Sequence, residues 1–321
     1  PVTLSRIVNR QQAPDESTVA ALVAALGYPE SFFLRDDPDR IDTAAASFRS
    51  LTSMSARERD AALSAGVLAY ELMDWVSARF TLPEPDLIDL GHERDPAAAA
   101  RMLRQYWSIG EKPIGHMIRL LESKGVRVFS LAEDTRNVDA FSCWRDNQPF
   151  VFLNTFKSTE RSRFDAAHEL GHLVLHRHGG PQGREAEMEA NQFASAFLMP
   201  HADLVSAIPY VSSIEQILRA KKRWGVAAVA LAYRLNKLGL MTEWQYIQVN
   251  RRYRSAEPDG LPPETSSIWQ MVLQELWKEG LPRGAIAARL DIPEEELGSL
   301  LFGLTGEAKP PERGRPQLTA V

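Results

Sequence analysis

The stretch 166–176, AAHELGHLVLH, constrains the fold of this chain more than any other part of its sequence. Its histidines, His168 and His172, are four residues apart, and residues at this spacing lie on the same face of a helix. Apolar side chains surround both histidines, and a buried imidazole without a partner is energetically costly. The spacing therefore predicts a helix over 160–177 whose two imidazoles can share one ligand.

The glutamate between the two histidines adds a chemical function to this helix. Glu169 completes the pattern HExxH, which is typical of zinc metallopeptidases and places a carboxylate where it can act on a bound water. We therefore predict Zn²⁺ bound by His168 and His172, with Glu169 as the catalytic residue. A glycine inside a helix, as at Gly171, lowers helix stability by about 1 kcal/mol relative to alanine. Its presence there indicates that backbone or a ligand approaches the helix closely at this position.

A catalytic zinc site needs a third protein ligand and an open fourth position for water. The next predicted helix, 184–199, offers three glutamates. At about 100° per residue, Glu189 lies nearest the apolar stripe of this helix, whereas Glu185 and Glu187 lie toward its flanks. We expect Glu189 to be the third ligand and keep Glu185 as the reserve.

Several other residues near this motif have more than one interpretation. His176 is expected to pack or to hydrogen-bond beside the metal ligands, and His201 to lie in a surface loop or line the substrate cleft. Arg163 is expected to hold the helix in place, and the single cysteine, Cys143, to be a small buried residue. The strand PFVFLN (149–154) can be a core strand or an edge that pairs with an extended substrate.

The alternation of apolar residues predicts three short strands before the HExxH helix. They are VRVFSL (126–131), FSCWR (141–145) and PFVFLN (149–154). Helical spacing dominates the rest of the chain. The predicted fold class is α+β: mostly helical, with a small antiparallel sheet packed on the HExxH helix and helical segments at both ends.

Composition excludes several classes of protein. Among 321 residues, 44% are hydrophobic and 25% are charged, values that are ordinary for globular domains. No apolar run approaches the roughly 18 residues that would indicate a membrane span, so we expect a cytoplasmic protein without membrane contact. The net charge of −5 argues against nucleic-acid binding over the whole surface.

Longer stretches around the motif resemble a known family. RFDAAHELGHLVLH, then EAEMEANQFASAFLMP and KKRWGVAAVALAYRLNKLGLMTEWQY, are similar to the ImmA/IrrE metallopeptidases over roughly half the chain. The resemblance implies His168, His172 and Glu189 as zinc ligands and Glu169 as the general base. It also implies a protein substrate, a helix-turn-helix repressor encoded nearby.

The start of the chain carries a second resemblance. LSRIVNRQQAPDESTVAALVAALGYPESFF is similar to the recognition helix and closing helices of the Xre or Cro type of helix-turn-helix. The stretch corresponds to the later part of that motif, so we expect an incomplete module. A small helical packing unit is the alternative. If the module binds DNA, the side chains facing the major groove would be Thr3, Ser5, Arg6 and Asn9.

Two functions follow as hypotheses. The first is a zinc endopeptidase that cleaves a repressor-type protein and is fused to a regulator. The second is a DNA-binding regulator or antitoxin whose metallopeptidase-like domain senses or binds a partner, such as a toxin. A homodimer is compatible with both.

The expected domains are a partial helix-turn-helix (1–43), a helical connector and linker (44–95), the metallopeptidase domain (96–210), a helical extension (211–255), a C-terminal helical module (256–308) and a flexible tail (309–321).

Overall fold

The computed structural model describes most of the chain and shows helices arranged around one small sheet. The described residues are 2–39, 41, 47–48, 55–131, 138–178, 183–255, 257 and 260–306. The helices are α1 (Val2–Val8), α2 (Glu16–Leu26), α3 (Glu30–Leu34), α4 (Ala56–Ser77), α5 (Pro96–Tyr106), α6 (Met117–Ser123), α7 (Thr159–Leu175), α8 (Arg184–Leu198), α9 (His201–Ala207), α10 (Ile214–Trp224), α11 (Ala228–Lys237), α12 (Glu243–Tyr253), α13 (Ser267–Lys278), α14 (Arg283–Arg289) and α15 (Glu294–Leu301). The strands are β1 (Ser47–Phe48), β2 (Arg127–Ser130), β3 (Ala140–Arg145) and β4 (Gln148–Leu153). The predicted α+β class is confirmed.

The centre of the sheet is a tight hairpin. β3 and β4 pair antiparallel, with Arg145 opposite Gln148 at the turn. The two turn residues, Asp146 and Asn147, have φ values of 48° and 69°. Both values lie in the left-handed region, which Asn and Asp tolerate and which matches the twist of paired strands in two-residue hairpins. The turn therefore fixes the register of the hairpin.

The sheet as a whole is mixed, not antiparallel as the sequence analysis expected. Its strand order is β1-β3-β4-β2, and β2 runs parallel to β4, with Val128 opposite Val151. β4 lies between β2 and β3, so β2 and β3, which follow one another in sequence, are not neighbours in the sheet. Alternation of apolar residues reports the faces of a strand but not its edges, so it could not reveal this order. Since β4 is paired on both edges, it is a core strand and not a docking edge.

One face of the sheet carries a stack of aromatic rings. The Phe141 and Phe152 rings lie 4.3 Å apart at 10°, and Phe129 stacks on Phe152 at 5.7 Å. Tyr70 of α4 contacts Phe150 with 4.6 Å between ring centroids. α4 therefore covers this face, and the stacked rings bury a large apolar area that stabilises the sheet.

The opposite face of the sheet carries α7, with α8 packed against that helix. The Trp144 indole nitrogen of β3 donates a hydrogen bond to the Leu173 carbonyl at 3.3 Å. At Gly171, an added Cβ would lie 3.1 Å from the Phe193 ring and 3.3 Å from the Ala190 Cα. The close approach predicted at Gly171 is thus confirmed: it is made by α8.

Helices from the later part of the chain contact both the sheet and the N-terminal helices. Trp269 of α13 donates to the Val128 carbonyl at 2.9 Å, and Ser31 of α3 donates to Asp291. The domain boundaries stay predictions; the tail 309–321 and most of 44–54 lie outside the described residues. Within the described parts of the chain, the longest helices are too short or too polar to cross a membrane.

Candidate metal centre

The two histidines of the HExxH motif converge as the spacing predicts. His168 and His172 lie one turn apart on α7 and are buried. Their Nε2 atoms are 3.0 Å apart, and their rings are nearly perpendicular, with centroids separated by 4.7 Å. Two imidazole nitrogens therefore point at a common position beside the helix.

The third member of the cluster is a carboxylate from α8. Glu187 places one carboxylate oxygen 3.4 Å from the His168 Nε2 and the other 3.3 Å from the His172 Nε2. Burial raises the pKa of Glu187, but hydrogen bonds and charge from the two histidines outweigh it and lower the pKa to about 2. Together they form a group of nitrogen and oxygen atoms that could hold a metal ion, which we call the histidine cluster (His168, His172 and Glu187).

Glu189, expected as the third ligand, does not lie in the histidine cluster. Its carboxylate is instead 2.9 Å from the Nε2 of His176. The expectation chose the glutamate nearest the apolar stripe of α8, but the histidine cluster lies at the rim between α7 and α8, where a flank position reaches it. Residues two apart on a helix point in widely different directions, so Glu187 and Glu189 cannot occupy the same place. Glu185, the reserve, is exposed.

The far side of each imidazole ring is also held. The Nδ1 of His168 is 3.2 Å from the amide oxygen of Asn191, and the Nδ1 of His172 is 2.9 Å from the Nδ1 of His176. Such outer contacts fix ring orientation and tautomer, leaving the Nε2 lone pair for a metal. The expected role of His176 beside the ligands fits this arrangement. Asn191 was missed, although its position four residues after Glu187 places it on the same face of α8.

The glutamate of the motif lies between α7 and the sheet. Glu169 is fully buried, and its carboxylate accepts a hydrogen bond of 2.7 Å from the hydroxyl of Ser142 on β3. Ser142 was not singled out by the sequence, because its importance depends on which strand packs against α7. The contact fixes one oxygen of a carboxylate that directly follows His168 in the chain.

The donor set of the histidine cluster fits zinc. Two imidazole nitrogens and one carboxylate are a common set of three protein ligands in catalytic zinc sites, which leave a fourth position for water or substrate. Lysine or arginine would neutralise a buried carboxylate permanently, whereas neutral imidazoles provide lone pairs for a cation. The residues present are therefore suited to a divalent metal.

A different buried cluster lies at the other end of α7. The Nζ of Lys221 is 3.3 Å from a Glu160 carboxylate oxygen and 3.1 Å from one of Glu257. We call these three residues the lysine cluster. The same Glu160 oxygen accepts the amide of Leu261. Arg163, one turn further along α7, donates to the Gly225 carbonyl at 3.0 Å, and its expected role of holding the helix is confirmed.

The remaining predicted residues lie outside the histidine cluster. His201 is the exposed first residue of α9. Cys143 is buried as expected, and burial raises the pKa of its thiol to about 12. The proposed DNA-facing residues are all exposed on α1 or directly after it: Thr3, Ser5, Arg6 and Asn9.

The described structure is an α+β fold with a group of side chains that could hold a metal ion. Residues 121–236 match the Peptidase_M78 family, described as the IrrE N-terminal-like domain. The matched segment contains α7 and α8, and with them the histidine cluster and Glu169. A search of curated proteins finds no match. The family match supports a metallopeptidase-like function of the ImmA/IrrE type.

Proposed function

We propose that this protein is a zinc-dependent endopeptidase. The observation that carries the proposal is the convergence of the Nε2 atoms of His168 and His172 with the carboxylate of Glu187. Glu169, the adjacent buried carboxylate, is held by a hydrogen bond from Ser142. A metal-binding group and, one residue after its first histidine, a carboxylate held in one orientation supply the groups that hydrolysis of a peptide bond requires.

The residues have separate roles in this reaction. A zinc ion held by the histidine cluster would lower the pKa of water and polarise the substrate carbonyl. Glu169 accepts the proton of the attacking water and returns it to the leaving amine nitrogen. Ser142 keeps the carboxylate of Glu169 in one orientation. Asn191 and His176 keep the imidazoles of His168 and His172 turned toward the ligand.

The proposed substrate is a regulatory protein of the repressor type. Two features support it: the resemblance of the chain to the ImmA/IrrE metallopeptidases and the helix-turn-helix resemblance of its first 43 residues. A protease joined to a regulator module would act where its substrate is found.

The proposal is tested by cleavage of a peptide library. The zinc-loaded protein should generate new amino termini, identified by mass spectrometry, in a library of peptides prepared from a whole proteome. Removal of metal with a chelator should abolish these termini, and added zinc should restore them. A library left intact by the zinc-loaded protein, or cleaved equally after metal removal, contradicts the proposal.

The exposure of the α1 side chains favours a second candidate function, DNA binding. Arg6 and Asn9 are exposed, as a groove-reading helix requires. Binding to duplex DNA that weakens steeply with salt, and weakens further in Arg6→Ala, would support it. Equal, negligible binding by both forms would contradict it.

A further inference from the structure

The strand β3 runs directly beside the catalytic part of α7. Its residue Ser142 donates to the Glu169 carboxylate at 2.7 Å, and two residues later Trp144 donates to the Leu173 carbonyl. The later residue of β3 contacts the later residue of α7, so β3 and this part of α7 run in the same direction. β3 is therefore the strand from which a bound peptide would reach Glu169.

The two edges of β3 are used very differently. One edge pairs with β4 over six residues, 140–145. The other edge pairs antiparallel with β1 over two residues, Ser47 opposite Ser142 and Phe48 opposite Phe141. Ser142 is thus both the partner of β1 and the hydrogen-bond donor to Glu169. The backbone of β1 lies on the edge of β3 next to the catalytic glutamate.

We propose that β1 is an intramolecular inhibitory strand that occupies the edge of β3 where an extended peptide substrate would pair. This inference rests on the proposed peptidase function. An extended peptide binds a sheet edge through its main-chain hydrogen bonds, and only one strand can use an edge at a time. β1 and a substrate therefore compete for the same backbone groups.

The short pairing makes β1 displaceable. A two-residue ladder forms few hydrogen bonds and short strand pairs are marginal in water, whereas a peptide paired along 140–145 would form more. β1 compensates through its covalent attachment, because a tethered segment acts at an effective concentration in the millimolar range. Peptides that pair with β3 over only a few residues would thus fail to displace β1, whereas peptides that pair over a longer stretch would displace it.

The test removes the backbone donors of β1 and measures peptide binding. The variant Ser47→Pro/Phe48→Pro lacks both amide hydrogens, whereas the matched control Ser47→Ala/Phe48→Ala keeps them. The probe is a fluorescently labelled peptide with the sequence of residues 44–51, titrated against zinc-free protein and followed by fluorescence anisotropy. If the edge is open in about one molecule in ten, opening it permanently strengthens binding about tenfold. Equal affinity for the proline and alanine variants would overturn the proposal.

A second measurement uses the unmodified chain and does not depend on the proline variant folding. Ser47 and Phe48 are consecutive residues of an antiparallel pair, so only one of their two amides donates to β3. Excess probe should speed hydrogen exchange at that amide, because the probe displaces β1, while exchange in β4 stays constant. No change at that amide at the highest probe concentration would also overturn the proposal.

Both measurements are made without zinc, so they are separate from the proposed peptidase function. Probe binding at the β3 edge combined with failure to cleave any peptide would contradict the peptidase and leave β1 as the occupant of a peptide-binding edge. Zinc-dependent cleavage that is equally fast in the proline and alanine variants would contradict the inhibitory role alone.

Discussion

The two ends of α7 carry buried groups of charged and polar side chains that differ in the source of their cation. At the N-terminal end, the lysine cluster sets the ammonium of Lys221 between two carboxylates, so the positive charge is supplied by the protein itself. At the C-terminal end, the histidine cluster sets a carboxylate against two imidazoles whose nitrogens can bind a cation. The first cluster fastens the helix, and the second can bind a ligand.

The type of cation separates a structural group of buried charges from one that can bind a ligand. A buried ion pair is complete when Lys or Arg neutralises the acid, and breaking it costs stability. A buried group of histidines and a carboxylate with their outer nitrogens already held is arranged for a metal. The following changes should therefore affect stability at one end of α7 and chemistry at the other.

The largest effect is expected at Glu169, the proposed catalytic residue. Glu169→Gln keeps the size of the side chain but removes the proton acceptor, so peptide cleavage should fall about 10²–10⁴-fold. Zinc content should stay unchanged, because Glu169 is not part of the histidine cluster. Cleavage rate and elemental analysis measure the two quantities, and an unchanged rate would contradict the assigned role.

The lysine cluster should respond in stability alone. Lys221→Ala leaves the buried Glu160 and the partly exposed Glu257 without their cation. Because Glu160 stays buried, the free energy of unfolding should fall by about 3–5 kcal/mol. Lys222→Ala, at the exposed neighbouring position, is the matched control and should change little. Denaturant unfolding compares the variants. A loss of zinc affinity in the folded Lys221→Ala protein would contradict a purely structural role for the lysine cluster.

The contact of Glu189 with His176 should tune zinc affinity without abolishing binding. Glu189→Gln removes the charge that holds His176 against His172, and loss of such an outer contact typically weakens metal binding about 10–100-fold. Glu185→Gln, exposed on the same helix, should bind zinc as the unmodified protein does. Competition with a zinc-binding dye measures the zinc affinity of both variants. Equal affinities would show that the contact of Glu189 with His176 has no effect on zinc binding.

The close packing of α7 and α8 should matter least. Gly171→Ala places a Cβ 3.1 Å from the Phe193 ring, and overpacking of this kind costs about 1–3 kcal/mol. Gly298→Ala on α15 meets nothing within 4 Å and should stabilise by up to about 1 kcal/mol, the difference in helix propensity. Thermal unfolding of the two variants should shift in opposite directions. A shift in the same direction would contradict the packing argument.

Much of the fold and part of the site could be predicted from the sequence. Local spacing determines the helices and strands, and the pair His168 and His172 follows from helix geometry alone. The order of the strands depends on contacts between distant segments, so the parallel pairing of β2 with β4 could not be read from alternation. The role of Ser142 could not be predicted for the same reason, since the sequence of a strand does not indicate which helix a serine in it will face.

The choice between Glu187 and Glu189 shows where helical periodicity stops being sufficient. The helical wheel identifies the most buried face of α8, and Glu189 lies nearest to it. The position of the histidine cluster depends on how α8 is rotated against α7, and the contact at Gly171 sets that packing. The spacing from Glu187 to Asn191 was the signal that could have found the arrangement, because both lie on one face.

Zinc content tests directly whether Glu187, and not Glu189, completes the metal site. It is measured in three proteins purified in parallel: the unmodified chain, Glu187→Gln and Glu189→Gln. Each is loaded with zinc, dialysed and analysed by elemental mass spectrometry. We expect about one zinc per chain in the unmodified protein and in Glu189→Gln, and loss of zinc in Glu187→Gln. Zinc retained by Glu187→Gln, or no zinc in the unmodified protein, would contradict this assignment.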